Sequence, residues 1–415
     1  MRPVRSMTAM YGTRDPQSRC SGLVTYLLNR AMTRITRGPS VAAIGIGPLC
    51  LIQPPLLREC APRGICARPA GLHGLMADSM RRWEMGGIGR DALRLREVAI
   101  PQPRAGEVLI KVAAVALNHR DKLVIETGRG LPLQFPFTPG SDLAGTVVAI
   151  GDSVTRFAVD DQVISVFTPD WLDGARPGDA RTPSYWTLGG FYPGVLAEYV
   201  ALPQDWVVRA PRTVSAAEAS TLPVAGLTAW FALVERGHVR AGDVVLVEGT
   251  GGVALFGVQI ARMHGAEVIV SGSADKLDRV TQLGADHVVD RRSVDWADTI
   301  LAITGDRGVD HVLELVGGAH LGKAAQVVAV GGHIHLIGAL DGFEVSTPVM
   351  PILMKDITIH GIGTGHRRAL TELVSAIDST GTKPIVGARH PFDDLPAALD
   401  HLDRGPFGKI VVDVG

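Results

Sequence analysis

The sequence predicts an α/β protein in which a doubly wound parallel sheet follows a β-rich, barrel-like unit. Between Val244 and Ile337, apolar strands alternate strictly with helices. Before them, short strands separated by Gly, Asp and Ser lie between Leu93 and Ala201. Fully apolar strands that alternate with helices indicate a parallel sheet covered on both faces, whereas short, closely spaced strands indicate a barrel or sandwich.

The β-rich unit is read from three strand-like runs and a long lobe. Val108–Ala116 is apolar, and Asp142–Ile150 and Gln162–Val166 repeat the pattern after turn residues. Phe167–Pro193 is rich in Gly, Pro and aromatic residues, which predicts a functional lobe rather than a regular element. Residues 345–415 return to mixed helix and strand and end in a predicted strand over Gly408–Val414.

The alternating segment supplies the parallel sheet. Strands are predicted over Val244–Glu248, Glu267–Ser271, His287–Val289, Val309–Val316 and His333–Ile337. Helices are predicted from the Gly-rich turn to His264 and over Asp275–Leu283, Trp296–Thr304 and Leu321–Val328. Two further helices, over Ala216–Leu222 and Gly226–Val234, precede the first strand.

The composition bounds the class of protein. The chain has 415 residues, enough for two domains with separate cores, and its 46% hydrophobic and 20% charged residues fit a soluble globular protein. A net charge of −1 gives no reason to expect nucleic acid or an anionic membrane as a partner.

Residues 1–75 differ from the rest of the chain. They hold ten Arg, no Lys and two acidic residues, so they carry +8 and leave −9 for the remainder. This composition is typical of a transit peptide, but it also fits upstream DNA translated from a misassigned start, with Met76 or Met80 as the true first residue. We expect residues 1–79 to be an extension that is disordered or not genuinely translated. The protein is then cytoplasmic, and organellar only if the segment is a genuine transit peptide.

The motif with the most specific chemistry is Gly249–Ala254, which follows a predicted strand directly and opens a helix. It fits G-x-G-x-x-A, in which Gly249 permits the tight turn, Gly251 lets the backbone approach a pyrophosphate, and Ala254 lets helix and strand pack closely. The helix N-terminus offers free N–H groups to phosphates. We therefore expect a dinucleotide-binding Rossmann domain.

The end of the next strand favours NADP(H) over NAD(H). An NAD site usually carries an acid there for the ribose 2′-hydroxyl, but this chain has Ser271 and Gly272. The hydroxyls of Ser271 and Ser273 and the amine of Lys276 can hold a 2′-phosphate by charge-assisted hydrogen bonds. Asp275 argues against this assignment, although its position also suits the cap of a helix.

These features resemble the medium-chain dehydrogenase/reductase superfamily over residues 80–415. The matching segments are Gly106–Val108, Val115–Asp121, Pro139–Gly145, Gly226–Trp230, Gly249–Val253, Leu283–Asp286, Gly308–Asp310 and Gly405–Val411. Within the superfamily the chain is most similar to the zinc-less, quinone-oxidoreductase-like branch. The resemblance implies a GroES-like catalytic domain over residues 80–205 and 346–415, and a Rossmann domain over residues 206–345.

The residues that replace metal ligands lead us to expect no catalytic zinc. Zinc-dependent relatives place a Cys where this chain has Asn118, His-Glu where it has Ser141 and Asp142, and a third ligand near Val224. Asn118, Ser141 and Val224 are not usual zinc ligands. From Met76 onward the chain has no Cys, which excludes a four-Cys structural zinc and any disulfide from the main body. We name no metal ligands.

The resemblance implies hydride transfer between NADP(H) and a small carbonyl, enone or quinone. It nominates Asn118 as a polar contact to the substrate oxygen, with Asp121 close by. The alternative, that Asn118 caps a helix beginning at His119 and Asp121 supports its first turn, stays open. His119, Tyr185 and Tyr192 are conceivable proton donors between which the sequence does not choose.

The resemblance also implies the remaining cofactor contacts. Matched by position, these are Thr228, Val316, Gly338 and Ala339 near the nicotinamide, Thr250, Gly251, Gly252 and Val253 at the pyrophosphate, and Arg367 and Lys409 elsewhere on the dinucleotide. For Arg367 and Lys409 a solvated surface charge is an equal alternative.

Two other functions stay open. One is a zinc-independent alcohol or aldehyde dehydrogenase, and the other is a protein that binds NADPH without turnover. Relatives form homodimers or homotetramers through the nicotinamide-domain sheet, which implies pairing along a strand over Gly338–Pro348.

Overall fold

The computed structural model describes residues 79–415, so the expectations for the N-terminal extension fall outside the described residues. The described part contains a six-stranded parallel sheet and a seven-stranded, mostly antiparallel sheet, which confirms the predicted fold class. Within this range no helix is both long enough and apolar enough to cross a bilayer.

The seven-stranded sheet is centred on one long, buried strand. The strands of this part are β1 (Ser79–Met85), β2 (Leu93–Ala99), β3 (Glu107–Leu117), β4 (Asp142–Ile150), β5 (Gln162–Ser165), β6 (Tyr199–Pro203) and β7 (Val207–Arg209). β1 and β2 form a separate two-stranded sheet, while β3 pairs antiparallel with β4 and β6. Helix α1 (His119–Thr127) follows β3 after a single residue, Asn118.

A continuous helical stretch leads to the second sheet. It contains α2 (Ala216–Ala219) and α3 (Leu227–Trp230), with wide π-helical turns over Leu222–Gly226 and Phe231–Arg236. The two helices predicted for this region are therefore present, but they run into each other instead of being separated by a loop.

The parallel sheet has the strand order of a doubly wound fold. Its strands are β8 (Val244–Glu248), β9 (Glu267–Gly272), β10 (His287–Asp290), β11 (Val309–Glu314), β12 (Val328–Leu336) and β13 (Thr358–Gly361). The helices are α4 (Gly252–Met263), α5 (Ala274–Gln282), α6 (Trp296–Ile303), α7 (His320–Val327) and α8 (Val349–Met354). The spatial order is β10-β9-β8-β11-β12-β13, so the order reverses between β8 and β11. Dinucleotides bind beyond the carboxyl ends of the strands at such a point.

The rest of the chain returns to the first sheet. It forms α9 (Arg367–Thr380), β14 (Val386–Pro391), α10 (Leu395–Asp403) and β15 (Lys409–Asp413). β15 pairs parallel with β14 and antiparallel with β3, and Ile410 lies opposite Leu117. This register brings Lys409 beside the residue that follows β3.

Two boundaries differ from the expected ones. β7 extends the first sheet to Arg209 rather than 205, and β13 extends the parallel sheet to Gly361 rather than 345. Within the chain the segment Gly338–Pro348 forms no ladder and β13 is the edge strand, so the pairing of this segment with a second copy stays a prediction. The segment leaves the sheet at Gly338, where an added side-chain carbon would lie 1.8 Å from the Leu315 carbonyl oxygen.

Packing explains the apolar strands of the parallel sheet. Val245 and Val247 lie in one core cluster with α4, whereas Val244 and Leu246 lie in another with Trp296 of α6. Since both faces of β8 are covered, neither set of alternate residues can be polar without burying an unpaired group.

Four histidines stack across β11, β12 and β13. The imidazoles of His311, His333, His335 and His360 lie nearly parallel, with neighbouring ring centroids 5.2–6.2 Å apart. Burial lowers the pKa of each of the four below its ordinary value, most of all for His335. The folded protein therefore resists protonation of this array.

We expect the array to make stability depend on pH. Below about pH 6.5 the imidazoles of the unfolded chain take up protons, while those of the folded chain resist until a lower pH. Because the unfolded state then binds more protons, the melting temperature should fall as the pH is lowered from about 7.5 to 5.5. His335→Gln should make this fall shallower, and His287→Gln, at an exposed position outside the array, should not. Equal slopes for both variants would contradict the prediction.

Candidate active site

The turn between β8 and α4 is shaped to receive phosphate. Gly249 adopts a left-handed backbone with φ of 96°, and Gly251 is the N-cap of α4, where no side chain accepts a hydrogen bond from the first N–H groups. A side-chain carbon added at Gly251 would meet no atom within 4 Å, so this side of the turn is open. Ala254 is fully buried beneath it. Free N–H groups beside open space at a helix N-terminus fit the pyrophosphate of a dinucleotide.

At the end of β9, the serines differ in where their hydroxyls point. Ser271 is buried, and its hydroxyl oxygen accepts an N–H from the Trp296 indole at 2.7 Å. Ser273 is the N-cap of α5, and its side chain makes no capping hydrogen bond. Of the two, Ser273 is the better placed for a ligand beyond the strand end.

Two cations lie near the same strand end. Lys276, in the first turn of α5, donates from Nζ to the carbonyl oxygen of Gly405 at 2.5 Å. The backbone N–H of Arg291 donates to the carbonyl oxygen of Gly272 at 2.9 Å, so Arg291 directly follows β10 beside the end of β9. Sequence reasoning missed Arg291, because its nearness to Gly272 comes from pairing between strands and not from a motif.

Asn118 and Lys409 form the centre of a buried polar cluster. Lys409 donates from Nζ to the carbonyl oxygen of Leu117 at 2.6 Å and to Asn118 Oδ1 at 2.7 Å. Asn118 Nδ2 lies 3.4 Å from Ser141 Oγ. Asn118 occupies the N-cap position of α1 and forms a capping box with Asp121, whose carboxylate accepts the Asn118 backbone N–H at 2.8 Å. Asn118 therefore both caps α1 and belongs to the buried cluster.

The cluster contains two carboxyl groups without solvent contact. Burial raises the pKa of Asp121, although the Arg120 and Lys409 cations oppose the rise. Burial likewise raises the pKa of Asp142 to about 6, against the attraction of Lys409. Burial lowers the pKa of the Lys409 amine. Opposite charges held together in a dry site stabilise one another where a single charge would be costly.

The positions that hold zinc ligands in zinc-dependent relatives converge on this cluster. Ser141 Oγ donates to Asp142 Oδ1 at 2.8 Å, and the other carboxylate oxygen of Asp142 accepts the Val224 backbone N–H at 3.2 Å. The positive charge here is the ammonium group of Lys409. The donor set of an amide, a hydroxyl and one paired carboxylate does not fit the thiolate, imidazole and carboxylate ligands that zinc prefers.

The stem of Lys409 joins this cluster to the phosphate-binding turn. A side-chain carbon added at Gly252 would lie 2.3 Å from Lys409 Cδ, so the stem passes directly over the first turn of α4. The backbone N–H of Gly408 donates to the Thr250 carbonyl oxygen at 2.9 Å, and Gly408 forms a β-bridge with Gly251. The structure thus places the Asn118 amide, predicted to contact the substrate, and the Gly-rich turn, predicted to bind the pyrophosphate, next to the same end of β15.

Of the remaining residues predicted to contact the cofactor, some lie at the carboxyl edge of the parallel sheet and one is bonded elsewhere. Val316, Gly338 and Ala339 follow β11 and β12 at the carboxyl edge, and Thr228 is buried in α3. Arg367 is engaged elsewhere, since its guanidinium donates to Asp205 Oδ1 at 2.6 Å.

The two candidate tyrosines have different surroundings. Tyr192 donates its hydroxyl to Asp170 Oδ2 at 2.9 Å, and burial together with this carboxylate raises the pKa of Tyr192 to about 12. Tyr185 makes an edge contact with Phe167 and is partly exposed. Of the two hydroxyls, only that of Tyr185 has no hydrogen-bond partner within residues 79–415.

A second charged group at the carboxyl edge was missed by sequence reasoning. The ends of β8 and β11 bring Glu248 and Glu314 together with His320, whose Nδ1 lies 3.3 Å and 3.6 Å from the two carboxylates. Burial raises the pKa of Glu248 to about 7, and contact with the two glutamates raises the pKa of His320 to about 9. In the described part of the chain this is the one His and carboxylate group whose ligand atoms all lie within 4.8 Å. Each residue alone resembles an ordinary strand-end or helix-start residue, so no signal marked the group.

Two family models match the two parts of the fold. Residues 104–212 match the alcohol dehydrogenase GroES-like domain, and residues 252–379 match the zinc-binding dehydrogenase model. A zinc-type alcohol dehydrogenase-like protein of Schizosaccharomyces pombe is 36% identical over 337 residues, covering 79% of this chain and 96% of the relative. The chain belongs to the medium-chain dehydrogenase/reductase superfamily. This oxidoreductase family assignment confirms the resemblance found in the sequence.

Other members extend the comparison. The quinone oxidoreductase of Homo sapiens is 27% identical to this dehydrogenase/reductase over 345 residues, which is 80% of this chain and 97% of the relative. A solved alcohol dehydrogenase structure from Sinorhizobium meliloti 1021 is 56% identical, with a TM-score of 0.80 over 82% of this chain and 100% of the other. A solved NAD-dependent alcohol dehydrogenase is 32% identical, with a TM-score of 0.74 over 81% of this chain and all of the other.

Proposed function

We propose that this protein is an NADP(H)-dependent oxidoreductase that transfers hydride to or from a small carbonyl, enone or quinone without catalytic zinc. The observation that carries the proposal is the joining of the open Gly-rich turn to the buried Asn118–Lys409 cluster through Gly252. A dinucleotide on that turn would lie next to a polar group able to bind a substrate oxygen. The bound nicotinamide supplies the hydride chemistry.

The residues of the chain then position the substrate and stabilise charge. Asn118 Nδ2 lies 3.4 Å from Ser141 Oγ and also donates towards the carboxyl groups of Asp121 and Asp142. Of its two N–H groups, we propose that one donates to an oxygen on which negative charge develops. Asp121 holds the start of α1, and with it the backbone of Asn118. Ser141 and Asp142 form a buried hydroxyl–carboxyl pair that can hold a proton close to this amide.

Two observations support the absence of catalytic zinc. Asn118, Ser141 and Val224 supply no usual ligand, and the Asp142 carboxylate already accepts hydrogen bonds from Ser141 and Val224. The Lys409 ammonium group also bonds to Asn118 Oδ1, where it would repel a metal cation.

Support for NADP(H) comes from the strand end after β9. No acid ends β9, and Ser273, Lys276 and the backbone of Arg291 lie near this strand end, where a 2′-phosphate would bind. Ser271 contributes less, because its hydroxyl faces Trp296. The similarity to an NAD-dependent alcohol dehydrogenase supports the opposite preference, which makes the cofactor preference a point to measure.

Turnover with a substrate panel tests the function. We expect NADPH oxidation with quinones or enones, unchanged within about twofold after dialysis against a strong chelator, because the site has no ligand set for zinc. Oxidation of alcohols in place of these substrates would favour the zinc-independent alcohol dehydrogenase, which the similarity to alcohol dehydrogenases also supports. Tight NADPH binding with no turnover on the panel would favour a non-catalytic binding protein. Loss of activity on chelation that zinc restores would contradict a zinc-free mechanism.

Cofactor affinities test the 2′-phosphate assignment. Lys276→Ala and Arg291→Ala should each weaken NADPH binding about tenfold and leave NADH binding within about threefold, since one tenfold step corresponds to about 1.4 kcal/mol from one charge-assisted contact. Dissociation constants from nucleotide fluorescence provide the measurement. Lys111→Ala, at an exposed position on β3, serves as the control. Equal losses for both cofactors would contradict the assignment.

We further propose that the chain pairs with a second copy along the edge of the parallel sheet, either as a homodimer or within a homotetramer. α8 has no buried residue although it is almost entirely apolar, and Phe343, Leu353 and Met354 are 77%, 57% and 66% exposed. β13 lies at the open edge of the sheet beside them. An exposed apolar surface next to an unpaired strand edge is typical of an interface.

Light scattering on the eluting protein tests this pairing. The wild type should have twice or four times the mass of one chain, and Leu353→Asp should shift it towards the single-chain mass because a charge would be buried in the contact. Leu172→Asp, at an exposed apolar position in the aromatic lobe, is the matched control. A monomeric wild type would contradict the proposal.

A further inference from the structure

The Lys409 side chain does not reach towards the phosphate-binding face. It is 4% exposed, and its ammonium group donates to the Leu117 carbonyl oxygen and to Asn118 Oδ1, at the end of β3. Two fully buried carboxyl groups, those of Asp121 and Asp142, attract its charge. The amine of Lys409 therefore lies inside the buried polar cluster. Only the aliphatic part of its side chain contacts the turn that would bind the cofactor.

An ammonium group determines which way a neighbouring amide is turned. Lys409 can only donate, so the amide atom 2.7 Å from its nitrogen must be the oxygen of Asn118. The amide nitrogen then lies on the opposite side, 3.4 Å from Ser141 Oγ and directed towards the carboxyl groups of Asp121 and Asp142. Without Lys409, Asn118 Oδ1 would lose its charged donor, and only the contacts on the nitrogen side would hold the amide.

The stem of Lys409 is fixed by the cofactor turn itself. Its Cγ and Cδ fill the space that a side chain at position 252 would need, at 2.8 Å and 2.3 Å from an added carbon. Gly408, the preceding residue, is bonded to Thr250 of the same turn. Any shift of this turn when a dinucleotide binds is therefore carried along Lys409 to the amide of Asn118.

We propose that Lys409 is a positioning residue that holds the Asn118 amide with its N–H towards the substrate oxygen and links that orientation to the cofactor turn. This inference rests on the proposed hydride transfer at the same site. It replaces the expectation that Lys409 contacts the dinucleotide through its charge. The residue has no contact with the reacting atoms and acts through Asn118.

Lys409→Met tests the assignment, because Met has a similar length and cannot donate. Using the full chain, we expect the dissociation constant for NADPH to stay within about threefold, kcat with the best panel substrate to fall at least about thirtyfold, and KM to change little. The deuterium isotope effect with 4-deuterated NADPH should rise, because the hydride step becomes slower relative to release steps. Lys355→Met is the matched control, since the Lys355 amine, like that of Lys409, donates to backbone carbonyl oxygens but lies outside the site.

A double-mutant cycle with Asn118 separates this role from a general loss of structure. Asn118→Asp keeps an oxygen for Lys409 but removes the N–H, so it should lower kcat by a similar factor. The melting temperature of each variant, measured alongside, reports any general loss of structure. The double variant should be no slower than the slower single variant, because both changes remove the same donor. If Lys409→Met fails to fold, the kcat of Asn118→Asp alone still shows whether the Asn118 N–H contributes to turnover.

Three results would overturn the inference. A loss of NADPH affinity of tenfold or more with kcat retained at saturating cofactor would assign Lys409 to the phosphates instead. Additive losses of kcat in the double variant, or full activity in Asn118→Asp, would remove the link to Asn118. A wild type inactive on the whole panel would overturn the proposed function, and this inference with it, whereas an active wild type with an equally active Lys409→Met overturns the inference alone.

Discussion

The structure depends most on the first residues of β15. Gly408 bonds to the Gly-rich turn of the parallel sheet, and from Ile410 onward the strand pairs with β3 of the other sheet. One short segment therefore links the phosphate-binding turn after β8 to the sheet that contains β3. The distance between the phosphate-binding turn and the end of β3 follows from this shared segment. The relative placement of cofactor and substrate groups is thus a property of the backbone before any side chain is considered.

Between the two sheets the chain buries Asp121, Asp142 and Lys409. Such charges are tolerated away from water only when they are paired and hydrogen-bonded, and here each has polar partners from a different element. A cluster of this kind contributes little net stability compared with an apolar core. Such a cluster can instead favour catalysis, because its hydrogen-bonding groups are already oriented and need no rearrangement when charge develops on a substrate.

Most of the fold could be predicted from the sequence, because strict alternation and the strand–turn–helix context of Gly249–Ala254 are local signals. Asn118 was expected at the site through the resemblance to the family, in which the loop after the corresponding strand faces the nicotinamide. The partners of Asn118 could not be predicted, since Lys409 reaches it from 291 residues away through strand pairing. Arg291 and the Glu248–His320 group were missed for the same reason. Within the chain the segment Gly338–Pro348 forms no strand, and its apolar residues Leu340, Phe343 and Val345 are exposed.

The separation of β15 from β3 along the chain also bears on how the protein is made. The residues of β15 are synthesised long after those of β3, since Lys409 follows Leu117 by 292 residues, yet they pair with this central strand. Until they emerge from the ribosome, one edge of β3 stays open to pairing with other chains, which is a known route to aggregation. The nascent chain also lacks Lys409 throughout this period. Closing the sheet and completing the site are one event, so an incomplete chain has neither a finished core nor a working site.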